Sequence, residues 1–307
     1  MYSKIVWLQD YTEGDIDPFA KILDLGLPFP YGFVISRSVL HSVYLNLTVQ
    51  EKLIPLFEYS HEDSSGELAH VQDLIQQIFH NIHIPKDFAH RVNSAYEHLP
   101  EKEKYYLKLH VSDLHRAANI LRHIYSPPVV RMSFLPHSSS TSLCAGESSL
   151  IDSVTQMAVS HLKGNIAKER SIELPSILVQ RVPNGQYSGY CETLNKVRHN
   201  SNQMVIYGNL GAQILDEAGD LYIIDKDSVT ITDRHIQTQP YKYVLKGTGY
   251  KKVAIHEEDG NRQILPDSLI LKISYLCKDI ERKLYFPQKI YWTLENGLLY
   301  VTRLKQI

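Results

Sequence analysis

The sequence predicts an α+β protein of two lobes with a helical insert in its front half. Three observations carry this. Strand-like runs open the chain and dominate it from residue 174 onward, residues 38–125 read as helical throughout, and Pro127-Pro128 closes that helical block before strand character returns. The expected division is 1–170 for the first lobe, with the insert at 38–125, and 171–307 for the second.

Taken in order, KIVWLQDY is a short strand, followed by an acidic segment. In AKILDLGLPFPYGFVIS, Ala20, Ile22 and Leu23 set a helical pattern that stops at Gly26. Pro28 and Pro30 hold the next turn extended, and GFVIS resumes as a strand. In ELAHVQDLIQQIFHNI the apolar residues Leu68, Val71, Leu74, Ile75 and Ile78 keep a helical period. DFAHRVNSAYEHL and VSDLHRAANILRHIY repeat it, with Pro85 and Pro100 as punctuation. VVRMS is a strand, PHSSSTSLCAGESS a polar loop of small residues, and Ser148 to Leu162 a helix. LPSILVQRV, GQYSGYCET, NQMVIYGNL, GDLYIID and DSVTITD then read as strands. A helix over PDSLILKISYLCKDIERKLY leads into KIYWTL and LLYVTRL, joined by ENG, a hairpin signal.

Composition excludes several classes. The 307 residues are 43% hydrophobic and 21% charged, enough for a large core in more than one lobe. A net charge of −2 argues against a general nucleic-acid binder. The charge is uneven: residues 1–150 hold 12 basic and 17 acidic side chains, and residues 151–307 hold 20 and 17. No run approaches the roughly eighteen apolar residues of a membrane helix. The N-terminus turns acidic too soon for a secretory signal. Cys144, Cys191 and Cys277 form no CxxC pair, which excludes a disulfide framework or zinc knuckle and points to a reducing compartment, the cytoplasm.

Ten of the fifteen histidines lie in or beside the helical block. His80 and His83 have half-site spacing but no acidic partner on their face, and HEXXH is absent, so no metal ligand is assigned. The SSSTS run at 138–142 lacks a GxSxG elbow, and no catalytic residue is assigned. Neither GxxxxGK[ST] nor GxGxxG is present. The segment Arg131 to Ser149 is the better candidate, because an arginine at a strand, a Ser/Thr/Gly loop and a following helix N-terminus suit an anion such as phosphate.

Several segments, in order, carry a resemblance. GLPFPYGFVIS resembles the GLPVPPGFV segment of the phosphoenolpyruvate synthase and pyruvate phosphate dikinase family. VVRMSFLPHSSSTSLCAGESSL is similar to that family's VRSSATAEDLPDASFAGQ loop, keeping Val130, Arg131, Ser133, Ala145 and Gly146. SILVQRVPNGQYSGYCET resembles VVVQKMV…SGVAFT, and GDLYIIDKDSVTITDRHI resembles the YVVDK stretch. The last 39 residues are similar to the module's end, a helix with IE…YG.PQDIEW before a strand LYILQTRPI.

The resemblance implies an ATP-grasp fold, two α+β lobes that hold ATP. In the family this module passes a phosphoryl group from ATP to a histidine on a separate domain, and a barrel domain then uses it. No TSGG..SH motif stands in this sequence, so the resemblance implies an acceptor on another chain, a phosphohistidine- or barrel-domain protein. Carried over by position, Arg131 and Ser133 would hold phosphates. Gln180, Arg181 and Val182 form the hinge whose backbone meets adenine, and Arg303 and Lys305 replace the Gln and Arg of LQTR.

Other positions depart from the family. The phosphate-clamping lysine of GGKxxxL falls at Gly14-Asp15, with Lys21 six residues late. The acidic residue of TAEDLP has no counterpart, the nucleotide-facing glutamate of VIEASWGLGE becomes Tyr207, and the glutamate of DIEW, a Mg²⁺ ligand in the resemblance, becomes Tyr291. Losing a metal carboxylate and a clamp is expected to slow phosphoryl transfer roughly a thousandfold or more. Two functions of different classes stay open: an ATP-dependent phosphotransferase module with a partner, and a catalytically silent pseudoenzyme acting as a nucleotide-, anion- or partner-binding module. ATP is the expected cofactor in both, and Mg²⁺ is left open.

Overall fold

The computed structural model describes residues 5–10, 27, 29–59, 65–110, 128–135, 141–168, 172–212 and 219–307. Helices and antiparallel strands mix throughout, and the described chain forms two compact units. The first holds 5–10, 31–59, 65–102, 128–135, 141–168 and 172–181; the second is built chiefly from 182–212 and 219–307. No described helix is long and apolar enough to cross a membrane.

Five antiparallel strands form the sheet of the first unit: β1 (Ile5–Trp7), β2 (Gly32–Ile35), β3 (Val129–Phe134), β4 (Thr141–Ala145) and β5 (Ile177–Arg181), in spatial order β1-β2-β5-β3-β4. β2 and β5, both inner strands, are buried along their whole length, including Gln180 and Arg181 at the end of β5. β3 alternates, with Val130, Met132 and Phe134 buried and Val129, Arg131 and Ser133 half-buried on the other face.

The helices of this unit are α1 (Arg37–Tyr44), α2 (Leu47–Tyr59), α3 (Ser65–His80), α4 (Lys86–His110), of which 86–102 belong here, and α5 (Glu147–Lys168). Each buries a stripe at helical spacing: Val71, Ile75 and Phe79 on α3, Phe88, Val92, Tyr96 and Leu99 on α4, Leu150, Val154, Ala158 and Leu162 on α5. α3 packs on α5, where Lys163 Nζ donates to Gln76 Oε1 at 2.9 Å.

Two sequence expectations change here. Pro100 does not end its helix, since α4 runs through it to His110. A proline removes one backbone donor, and the buried stripe up to Leu99 holds the turn before it. The segment TSLCA, expected as loop, is strand β4, paired with β3 in a register that puts Cys144 opposite Val130. Burial of Cys144 and pairing along the outer side of β3 outweigh the weak strand preference of small residues. The helix expected at Ala20–Leu23, the one over VSDLHRAANILRHIY, and residues 138–140 of the serine run lie outside the described residues.

His41 on α1 ties this helix to the strand-entry segment, its Nε2 accepting the Leu174 amide at 3.0 Å. Burial and the charge of Arg37, opposed by Glu173, hold its imidazole below the ordinary 6.5. The folded state therefore favours the neutral ring. The stability this contributes is complete above that ordinary value and is lost as pH falls below it. Denaturant titrations at about pH 7.5 and about pH 5.5 should show a steeper loss in the wild type than in His41→Gln. Equal losses would remove His41 from the acid response.

The second unit is a six-stranded antiparallel sheet of β6 (Tyr187–Glu192), β7 (Gln203–Leu210), β8 (Asp220–Asp225), β9 (Thr230–His235), β12 (Gln288–Glu295) and β13 (Leu298–Gln306), ordered β13-β12-β6-β7-β8-β9. A separate ribbon, β10 (Tyr241–Lys246) with β11 (Gly249–Ala254), was not among the strands expected from sequence. The terminal hairpin turns at Asn296 (φ 50°) and Gly297 (φ 83°), the paired positive φ that ENG supplies. α6 (Asp267–Leu284) buries Leu269, Ile270, Ile273, Cys277 and Ile280. Cys191, Ile206, Tyr222 and Ile290, in register across the sheet, form the buried face that it joins. Burial and the neighbouring Cys277 thiol push the Cys191 thiol well up, which leaves it an inert packing group.

Two polar clusters fix the ends of this unit. Lys226 Nζ meets Glu281 Oε2 at 2.7 Å and donates to the Thr193 carbonyl, joining α6 to the β6 and β8 ends. At the other end, fully buried Asp220 accepts from the Tyr222 hydroxyl and from the Gln237 and Ile264 amides.

Candidate functional site

The candidate residues fall into two sets, one in each unit. In the first, the register places Arg131 directly opposite Gln180 on β5 and Leu143 on β4. Arg131 Nη2 donates to Gln180 Oε1 at 3.2 Å, and Gln180 is itself buried. The guanidinium is thus aimed by a side chain that cannot move freely. Ser133 lies two residues along the same face. Arg181 lies opposite Val130, on the other face, is buried, and uses its amide to donate to the Tyr31 carbonyl at 3.0 Å. Gln180 and Arg181 therefore serve opposite sides of the sheet. Val182, half-buried, is the first residue past β5 and belongs to the second unit.

The turn from β4 into α5 is shaped by Tyr96. Its hydroxyl accepts the Gly146 amide at 2.9 Å and donates to the Pro128 carbonyl at 2.7 Å, while Gly146 takes φ 91°, a value that suits glycine. Glu147 opens α5, and the neighbouring Glu97 charge pushes its exposed carboxyl up. The positive end of the α5 dipole accordingly faces a pair of carboxylates.

In the second unit Tyr207, Tyr291 and Arg303, far apart in sequence, stand in one cross-strand row. Arg303 pairs with Tyr291, Tyr291 with Tyr190, and Tyr190 with Tyr207. The Tyr190 and Tyr207 rings stack at 4.4 Å, and Tyr291 is tilted 5.8 Å from Tyr190. In the adjacent row Lys305 pairs with Lys289, and Lys289 with Glu192. Lys289 Nζ sits 3.7 Å from the Tyr190 ring centre and 5.2 Å from that of Tyr291; Arg303 Cζ is 5.7 Å from the latter. Glu192 lies 3.9 Å from Lys289 and 4.0 Å from Lys196. Burial, aided by Glu192 and opposed by Lys289, pushes the Tyr207 phenol up, so it stays a neutral donor. Arg303 and Lys305 are exposed.

Lys289 and Tyr190 escaped sequence reading. The available signal was strand alternation, since Lys289 stands two residues before Tyr291 and so shares its face.

This face suits an anion and an aromatic ring better than a metal. Mg²⁺ prefers carboxylate oxygens. The two positions where the resemblance puts glutamates hold Tyr207 and Tyr291, and the carboxylate beside them, Glu192, is engaged by lysines. Among the described residues there is no group of three or more His, Cys, Asp and Glu able to hold a metal ion. The side chains of this face do not fit Mg²⁺.

The AMP/ATP-binding domain of pyruvate phosphate dikinase matches residues 138–305, more than half the chain, and the chain belongs to this family. Its curated relatives include a probable phosphoenolpyruvate synthase of Methanocaldococcus jannaschii, 19% identical over 99% of this chain and 26% of that protein. Another, from Pyrococcus horikoshii, is 23% identical over 85% of this chain and 33% of its own length. The phosphoenolpyruvate synthase of Pyrococcus furiosus is 22% identical over the whole chain and 44% of its own length. The chain thus spans about a quarter to under half of these relatives.

Proposed function

We propose that this chain is a nucleotide-binding module of the ATP-grasp class, with two lobes dividing near residue 170, that holds ATP and transfers its phosphoryl group poorly or not at all. The observation that carries the reading is the row Arg303–Tyr291–Tyr190–Tyr207, in which two tyrosines, Tyr207 and Tyr291, stand where the resemblance puts glutamates. Arg131, aimed by Gln180, supplies a fork for phosphate oxygens, with Ser133 beside it. Arg303 and Lys305 carry positive charge on the second unit's own sheet, and the place proposed for the base is the hinge at Gln180, Arg181 and Val182. Phosphoryl transfer depends on neutralising charge around an in-line displacement, and without a metal carboxylate this chain stabilises the bound state more than the transition state.

A second reading, transfer to a phosphohistidine- or barrel-domain protein on another chain, draws support from the greater length of the synthases. Calorimetric titration with ATP, followed by an assay for ADP and AMP release, separates the two. Micromolar binding with ADP and AMP release at background supports the binding module. Turnover at ordinary kinase rates, alone or with such a partner, would establish the second reading, and no heat at millimolar ATP would exclude both.

A further inference from the structure

We infer that this chain selects the metal-free form of its nucleotide, so that Mg²⁺ weakens ATP binding instead of strengthening it. The inference rests on the nucleotide reading above and deepens it. It begins from the charge on one sheet face, where Lys289, Arg303 and Lys305 stand together and Glu192 reaches Lys289 and Lys196. Lys305 and Lys289 stand directly opposite each other across β12 and β13. Like charges in that position destabilise a sheet, and a bound polyanion relieves the repulsion. The tyrosine rings under Lys289 and beside Arg303 hold these cations at the surface of the sheet by their electron-rich faces.

Free ATP is a tetra-anion and its magnesium complex a dianion. In a site with carboxylates for the ion, Mg²⁺ bridges protein and phosphate and raises affinity. Here the groups at those positions are phenols, and Tyr207 is held in its protonated form. The ion brings no new bond to the protein. It competes instead with Lys289, Arg303 and Lys305 for the same phosphate charge and retains its water.

The test is calorimetric titration of the full chain with ATP at matched ionic strength, once with EDTA and once with excess Mg²⁺. Metal-free ATP should bind on the order of tenfold more tightly, the worth of about one charge-assisted contact. In the double variant Arg303→Gln, Lys305→Gln, both at exposed positions that leave the core intact, the preference should shrink to near unity because metal-free binding falls. Equal or tighter binding with Mg²⁺ overturns the inference and leaves the nucleotide reading standing. A double variant that keeps the full preference also overturns it, since the selection would then arise elsewhere. Absence of binding in both conditions removes the nucleotide reading itself.

Discussion

Replacing Asp220 with alanine should lower the unfolding free energy by about 3–5 kcal/mol, the range for leaving several buried donors unpaired. Asp220 is fully buried at the start of β8. Its Oδ2 accepts from the Tyr222 hydroxyl at 2.7 Å and the Ile264 amide at 2.8 Å, and its Oδ1 from the Gln237 amide at 3.0 Å. These bonds fasten to β8 both the segment after β9 and the one that leads into α6. Burial, followed by the hydrogen bond to Asp220, pushes the Tyr222 phenol up, so the hydroxyl is always a donor and always needs its acceptor. Alanine removes all three acceptor contacts and admits no water to a site without exposed surface. Asp220→Asn retains one acceptor oxygen but presents an amide to donors, so it should lose an intermediate amount. Urea titration followed by far-UV circular dichroism measures both variants. An alanine variant within about 1 kcal/mol of wild type would mean that the two amides find other partners.

How much of this was legible in the sequence depends on whether an element announces itself locally. The terminal hairpin did, because Asn296 and Gly297 are the residues that accept two successive positive φ angles. α6 did, because Leu269, Ile270, Ile273, Cys277 and Ile280 repeat at helical spacing. β4 did not. Thr141, Ser142 and Ala145 are loop-like in composition, and only pairing with β3 and burial of Cys144 make the segment a strand. The ribbon β10–β11 was missed for a related reason: four lysines and three tyrosines blur its apolar alternation.

The candidate site was legible as positions but not as a surface. Tyr207 and Tyr291 stood out as departures from a resemblance, yet nothing local links residues 190 and 207 to the hairpin that carries 291 and 303. Sheet register alone sets them side by side. A lysine on a strand reads as a solvent-facing residue, and Lys289 acquires its meaning only from the ring 3.7 Å beneath it. Asp220 was invisible for the opposite reason, since a lone aspartate before a β run carries no sign that it will be buried among donors.

Arg131→Ala should weaken ATP binding by about 1.5–3 kcal/mol, roughly tenfold to a hundredfold in dissociation constant, the range for a hydrogen bond to a charged group. The side chain stands on the half-buried face of β3, so truncation leaves Val130, Met132 and Phe134 packed as before and the fold intact. What changes is the fork that Gln180 aims. With Gln180 fixed in the core, Arg131 keeps a restricted set of orientations, and little conformational entropy is lost when phosphate oxygens arrive. Arg131→Lys separates charge from geometry. A lysine keeps the charge but loses the planar pair of donors, so it should recover only part of the lost affinity. Gln180→Leu removes the acceptor while filling its volume, and should weaken ATP binding less than loss of Arg131 itself. Titration calorimetry on the three variants measures these differences. Wild-type affinity in Arg131→Ala would show that β3 does not lie over the phosphates.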